Sequence, residues 1–181
     1  MYILGNLLKS DKKAIAVVGS RNMSARGEKL TRDFVKELVT NGFTIISGLA
    51  RGIDTIAHQT ALENGGRTIA VLGCGLDTIY PSENKNLAQK IIKHGALVSK
   101  FPPGTKPFGK NFLARNKTIV ELSQAVLIIE GEKRSGTLST AAHAANLGID
   151  VFAIPGSEAT DWLIEEGANS VKSPEELLEN L

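Results

Sequence analysis

Short apolar runs alternate along this chain with longer stretches whose apolar residues recur at helical spacing. Ala14–Val18 is an unbroken apolar run closed by Gly19-Ser20-Arg21, the pattern of a strand covered on both faces. Ser24 then opens a stretch with Leu30, Phe34 and Leu38 on one side, running to about Thr40 and stopped by Asn41-Gly42; this predicts a capped helix. Thr44, Ile45 and Ile46 form a second strand that passes through Ser47-Gly48 and Arg51-Gly52 into a further helix. Ile53, Ile56, Ala57, Thr60 and Ala61 share one face of that helix. A third strand over Thr68–Leu72 ends at Gly73-Cys74-Gly75, and Tyr80-Pro81-Ser82 starts a helix that buries Leu87, Ile91 and Ile92 and stops at Gly95.

The second half repeats the rhythm. Ala96–Ser99 reads as a short strand, followed by a stiff loop through Phe101-Pro102-Pro103-Gly104 and Lys106-Pro107. A helix from about Asn111 to Ser123 precedes the strand Ala125–Ile129, and Ser135-Gly136-Thr137 turns into an alanine-rich helix ended by Gly148. Val151–Ile154 is the last strand expected, stopped by Pro155-Gly156, and two short helices close the chain. Met1–Leu8 reads as an apolar lead-in with Gly5-Asn6 as a turn. Repeated β–α units imply one α/β domain over residues 1–181, a doubly wound, mostly parallel sheet with helices on both faces.

Composition narrows the picture only slightly. Of 181 residues, 42% are hydrophobic and 22% charged, as in an ordinary globular domain. No apolar run reaches the ~18 residues of a membrane span, so no membrane partner is expected. A single cysteine, Cys74, leaves no internal disulfide, which fits a cytoplasmic setting. With a net charge of +2, any affinity for nucleic acid has to come from a local patch.

The candidate chemistry lies where strands run into helices, because ligands of such sheets bind beyond the carboxyl ends of the strands. There sit Gly19-Ser20-Arg21, Ser47-Gly48, Gly73-Cys74-Gly75, Glu130-Gly131 with Ser135-Gly136-Thr137, and Pro155-Gly156. A strand feeding a glycine turn and then a helix leaves backbone N–H groups facing a prospective anion. Arg21, Arg51, Lys106, Lys110, Arg115 and Lys117 are available beside these turns, which favours a phosphate-bearing partner. The chain has neither a full G-x-G-x-x-G nor a G-x-x-x-x-G-K-[ST] run, so dinucleotide and P-loop readings lose ground.

Asp54 and His58 stand one helical turn apart and read as a first-turn aspartate with a neighbouring histidine. His94 and His143 have no ligand-spaced partners, so no metal site is expected. Cys74 reads as a small buried residue, and Tyr80 as packing beside Pro81 with its hydroxyl used locally. Phe112-Leu113-Ala114-Arg115-Asn116-Lys117 is the most informative segment: a ring followed by two cations suits a single-stranded nucleic-acid groove, where bases stack and cations meet the backbone.

With these residues in view, the sequence resembles the Rossmann-like core of the DNA-processing protein A (DprA/Smf) family. The matching motifs are Val18-Gly19-Ser20-Arg21 with Ser24 and Gly27, and Ser47-Gly48-Leu49-Ala50-Arg51-Gly52-Ile53-Asp54 with Ala57-His58. They continue through Thr68–Leu72, Asp77, Tyr80-Pro81, Asn84, Leu87 and Pro102-Pro103-Gly104. Phe112 with Arg115-Asn116, Glu130 with Ser135-Gly136-Thr137, and Val151–Gly156 complete the set.

The resemblance implies a non-enzymatic, cytoplasmic, dimeric protein without cofactor. It would bind single-stranded DNA and deliver it to the RecA recombinase in natural transformation. The binding residues it implies are Gly19, Ser20, Arg21, Ser47, Gly48, Lys110, Phe112, Arg115 and Asn116; Arg51, Lys117, Ser135, Gly136 and Thr137 join them as neighbouring donors. Departures from the family pattern are Lys100 in place of glutamate, Lys117-Thr118-Ile119-Val120-Glu121 in place of Arg-Ile-Ile-Ala-Gly, and a shortened segment after Gly156. Neither an N-terminal helical domain nor a C-terminal winged helix is expected in these residues. Two rivals share the fold: a small-nucleotide sensor, and a phosphoribohydrolase resembling the cytokinin-activating class. The second needs a glutamate where Arg134-Ser135-Gly136-Thr137-Leu138-Ser139-Thr140 ends in Thr140.

Overall fold

The structure, a computed structural model, describes residues 1–133 and 135–181. In chain order the elements are β1 (Tyr2–Gly5), β2 (Ala14–Val18), α1 (Ala25–Thr40), β3 (Thr44–Ser47), α2 (Ile53–Glu63), β4 (Thr68–Leu72), α3 (Lys85–His94) and β5 (Gly95–Ser99). Then come α4 (Gly109–Glu121), β6 (Ala125–Ile128), α5 (Gly136–Leu147), β7 (Asp150–Ala153), α6 (Glu158–Glu165), β8 (Asn169–Ser170) and α7 (Pro174–Glu179). The strands form one sheet in the order β1-β5-β4-β3-β2-β6-β7-β8. Every neighbouring pair is parallel except β1 with β5, where Tyr2 faces Ser99 and Gly5 faces Ala96.

The alternation of side chains along a strand explains the two-sided core. From β2, Ile15 and Val17 pack with Phe34, Val35 and Leu38 of α1 and Ile53 and Ala57 of α2, while Leu177 of α7 closes that cluster. Ala14, Ala16 and Val18 point the other way, toward Ile119 and Val120 of α4, Ala141 and Ala144 of α5, and Leu163 of α6. The small alanines of α5 bring that helix close to the sheet. Beside the first cluster, Leu87, Ala88 and Ile91 of α3 pack on Ala70, Leu72 and Leu97. The doubly wound expectation therefore holds.

Helix ends follow the local chemistry. Ser24 caps α1, its hydroxyl accepting from the Gly27 N–H at 2.9 Å. Gly148 ends α5 at φ 67°, a left-handed conformation that suits glycine. Two readings change. Met1–Leu8 is more than a lead-in: Tyr2–Gly5 forms an edge strand whose pairing partner lies far along the chain. Asn169–Ser170 adds a two-residue strand beside β7, too short for periodicity to reveal. From β2 the chain winds out through β3, β4 and β5, then returns to lay β6 against the opposite side of β2. Strand order reverses between β2 and β6, and that is where a crevice forms in such sheets.

Candidate functional site

A cleft of about 390 Å3 opens at this reversal, lined by the turn after β2, the first half of α4 and the start of α5. Its floor is Arg115. The guanidinium is buried, with Nη1 donating to the carbonyls of Gly48 and Val71 and Nε donating to Asn116 Oδ1 at 3.2 Å. Asn116 in turn donates to the Gly136 carbonyl at 3.1 Å, tying α4 to the first residue of α5. Burial pushes the Arg115 pKa down, opposed by the carboxylate of Asp54. Burial likewise pushes Asp54 up, opposed by Arg115.

Asp54 and Arg115 hold opposite ends of one residue. Asp54 Oδ2 accepts from the N–H of Gly48 at 3.1 Å and of Ala50 at 3.3 Å, while Arg115 takes the Gly48 carbonyl. A Cβ at Gly48 would run into the guanidinium, so the missing side chain is what lets Arg115 lie flat there. The next residue, Leu49, has φ 59°, an uncommon conformation for a non-glycine residue; its carbonyl accepts from Asn84 Nδ2 at 2.9 Å.

The second turn is braced from within. Ser47 is fully buried and its hydroxyl donates to the Val17 carbonyl at 2.7 Å. Gly48 has both backbone groups occupied from within. Asp54 and Arg115 hold the turn, both residues help to position the floor, and Gly48 also lines a notch beside the cleft. Arg115 is likewise a floor residue rather than a free cation; among the described residues only its Nη2 has no hydrogen-bond partner.

The first turn is half open. Gly19 is needed because a Cβ would lie 2.7 Å from Ile53 Cγ1 and 2.9 Å from the Glu130 carbonyl. Ser20 donates its N–H to that carbonyl at 3.0 Å, and its hydroxyl accepts from the Asn22 N–H at 3.1 Å. Arg21 is exposed, with its guanidinium carbon 5.5 Å from the centroid of the Phe112 ring, within cation–π range. Phe112 is half-buried over Gly73, where a Cβ would come within 2.7 Å of its ring.

The helix N-termini differ in a way the sequence does not announce. At α1, Glu130 accepts from the N–H and the hydroxyl of Ser24, both at 2.7 Å, so a carboxylate of the chain already occupies the positive end. At α5, Ser135 is the N-cap residue but makes no side-chain cap. Its Oγ is buried without a partner among the described residues. An uncapped helix start that lines a cleft is the better anion site. Ser135, Gly136 and Thr137 all line it.

The remaining expected residues lie elsewhere. Lys110 and Lys117 are exposed on α4 outside the cleft lining, and Lys117 Nζ stands 3.9 Å from Glu121. Arg51 is exposed in an adjoining notch and paired with Glu83. Arg134 lies outside the described residues. Sequence reasoning missed Glu130 as the partner of Ser24 at the start of α1, since 106 residues separate the two. It also missed the aromatic contact of Tyr80 with Phe112, centroids 5.6 Å apart. The Tyr80 hydroxyl, expected to bond locally, makes no hydrogen bond among the described residues.

His58 serves the core. It is fully buried, with Nδ1 2.6 Å from Thr68 Oγ1. The Thr68 hydroxyl donates to the Ile45 carbonyl at 2.8 Å, so the histidine nitrogen is the donor to it. Burial lowers the His58 pKa to about 3, assisted by Arg115, and keeps the ring neutral.

A doubly wound sheet with its cleft at the β2–β6 reversal places the molecule in the Rossmann-like class of α/β proteins. Within that class, the chain belongs to the DNA recombination-mediator protein A family, whose model matches residues 1–181. Protein Smf of Escherichia coli (strain K12) is 47% identical over 188 residues, covering 100% of this chain and 50% of its own length. The X-ray structure of DNA processing protein A from Streptococcus pneumoniae superposes with a TM-score of 0.92 at 43% identity, covering 98% of this chain and 64% of that one. A Helicobacter pylori structure, described for the single-stranded DNA binding mode of its DNA processing protein A, gives a TM-score of 0.91 at 31% identity, with coverage of 99% and 85%. The chain spans about half the length of the Smf relatives it matches.

Proposed function

We propose that this domain binds single-stranded DNA in the cleft between the Gly19–Arg21 turn, Phe112 and the start of α5. One observation carries the reading: an exposed cation, a half-buried aromatic ring and an uncapped helix N-terminus line a single cleft. These are the elements a single strand requires, charge along its backbone and a platform under its bases. The name of the Helicobacter pylori neighbour supports the same choice of ligand. Delivery of the strand to RecA and assembly as a homodimer follow from the family resemblance and extend this reading.

The proposed role is binding without catalysis. The carboxylates near the cleft are mostly committed: Asp54 to two backbone amides, Glu130 to Ser24. At the position where the hydrolase class needs glutamate, Thr140 donates to the Gly136 carbonyl at 3.3 Å. A second reading, a small-nucleotide sensor, is favoured by the cleft volume, which lies within the range of small-ligand pockets. A gel-shift series with single-stranded DNA, challenged by unlabelled single strands, duplex and mononucleotides, tests both. Displacement by single strands alone is expected; displacement by a mononucleotide at lower concentration would favour the sensor.

A further inference from the structure

Beside the cleft, a small notch of about 30 Å3 is lined by Arg21, Ala50, Arg51, Tyr80, Phe112 and Arg115, among others. Arg21, Ala50, Phe112 and Arg115 also line the main cleft, so notch and cleft adjoin at the Phe112 ring. Tyr80 forms the far wall. The residue is 44% exposed and its ring is inclined at 34° to Phe112, so the two rings form an angled platform. No hydrogen bond among the described residues occupies its hydroxyl, and the core clusters do not include it.

We propose that Tyr80 is a second base-stacking platform, which receives the nucleotide next to the one stacked on Phe112. The inference rests on the single-stranded DNA reading and sets the direction of the strand's path: from the start of α5, across Phe112, toward Arg51. A half-exposed ring held against a second ring has little packing role to fill, and a nucleobase offers the apolar face it lacks. Arg51 stands at the exit, held by Glu83 through an ion pair in which both side chains are more than half exposed. A phosphate arriving there competes with Glu83 for a guanidinium that is free to turn.

The test compares oligothymidylate binding by the wild-type chain, Tyr80→Ala, Tyr80→Phe and Tyr80→Leu, with a thermal melt of each. Stacking on one base corresponds to roughly a 5- to 150-fold change in affinity. Tyr80→Ala is expected to lose affinity within that range with an unchanged salt slope and a near-native melt. Tyr80→Phe should bind as wild type, and Tyr80→Leu should recover little. Equal binding by Tyr80→Ala and wild type would overturn the platform. So would equal losses in Tyr80→Ala and Tyr80→Phe, which would assign the effect to the hydroxyl. Failure of the wild-type chain to bind single strands would instead remove the underlying reading of the cleft.

Discussion

Arg115 lies against the ring of Phe112, its guanidinium carbon 5.9 Å from the ring centroid, and the two residues three apart on α4 divide into floor and surface. Helical spacing puts both on one side of α4, but depth separates their roles. Arg115 spends its donors on the backbone of two strand ends, whereas Phe112 keeps a face toward the cleft. The exposed charge over the ring comes from Arg21, in the turn after β2.

Truncating Arg115 is therefore expected to act through stability. Arg115→Ala leaves the carbonyls of Gly48 and Val71 without their donor and Asp54 buried without its countercharge. Leaving a buried polar group unsatisfied costs ~1–3 kcal/mol, so a clear drop in melting temperature should accompany the loss of DNA binding. A native melt in Arg115→Ala would show that the floor is not structural.

Arg21→Ala should behave oppositely. The side chain is exposed, so the melt should stay native, while affinity for single strands falls most at low salt. Each phosphate contact contributes ~0.7 to the logarithmic salt slope on single strands, and the slope should flatten by about that amount. Lys117→Ala, off the cleft and beside Glu121, should leave slope and affinity nearly unchanged. Salt titrations by fluorescence anisotropy check all three statements.

Much of this was legible in the sequence. The order of strands and helices, the Ser24 cap and the glycine turns were all readable, because they rest on local periodicity and turn chemistry. The family motifs brought the cleft residues Gly19, Arg21, Phe112, Asn116 and Ser135 into view. What escaped was set by partners distant along the chain. Tyr2–Gly5 becomes a strand only because β5 lies beside it. Spacing did not show that Arg115, 67 residues on, donates to the Gly48 carbonyl. At the start of α1 the Ser24 cap was readable, but its partner Glu130, 106 residues on, was not. Spacing shows which residues share a face, but not which of them a buried charge has already claimed.

Glu130→Ala should destabilise the domain without revealing an enzymatic role. Removing the carboxylate frees the Ser24 N–H and loosens the cap of α1, a loss of ~0.5–2 kcal/mol. Melting should register it. Incubation of wild-type chain with nucleoside monophosphates should release no free base. Turnover that disappears in Glu132→Gln, a carboxylate lining the cleft, would refute the binder-only reading.

Acid should unfold the domain partly through His58. Its folded pKa of about 3 lies below the unfolded value of 6.5, so the unfolded chain takes up a proton first as pH falls. The stabilisation is complete above pH 6.5 and is lost at ~1.4 kcal/mol per pH unit as pH drops toward 3. Asp11 adds a lower step: burial acts to raise its pKa, but Arg67, Leu8 and Thr44 hold it below the usual 3.8, so its contribution fades as pH falls through that lowered value. Denaturant melts across pH should show a shallower slope between 6.5 and 4 in His58→Gln. An unchanged slope would show that the histidine is not buried neutral.

The most direct test of the cleft as the DNA site is one anisotropy titration of a labelled oligothymidylate against wild type and the Arg21→Ala/Phe112→Ala double variant. Both substitutions act at the cleft surface and remove one phosphate contact and one stacking platform. Affinity should fall on the order of 10- to 100-fold or more at low salt, in a protein whose melt shows it folded. Wild-type affinity in that folded double variant would contradict the assignment and move the DNA to another surface.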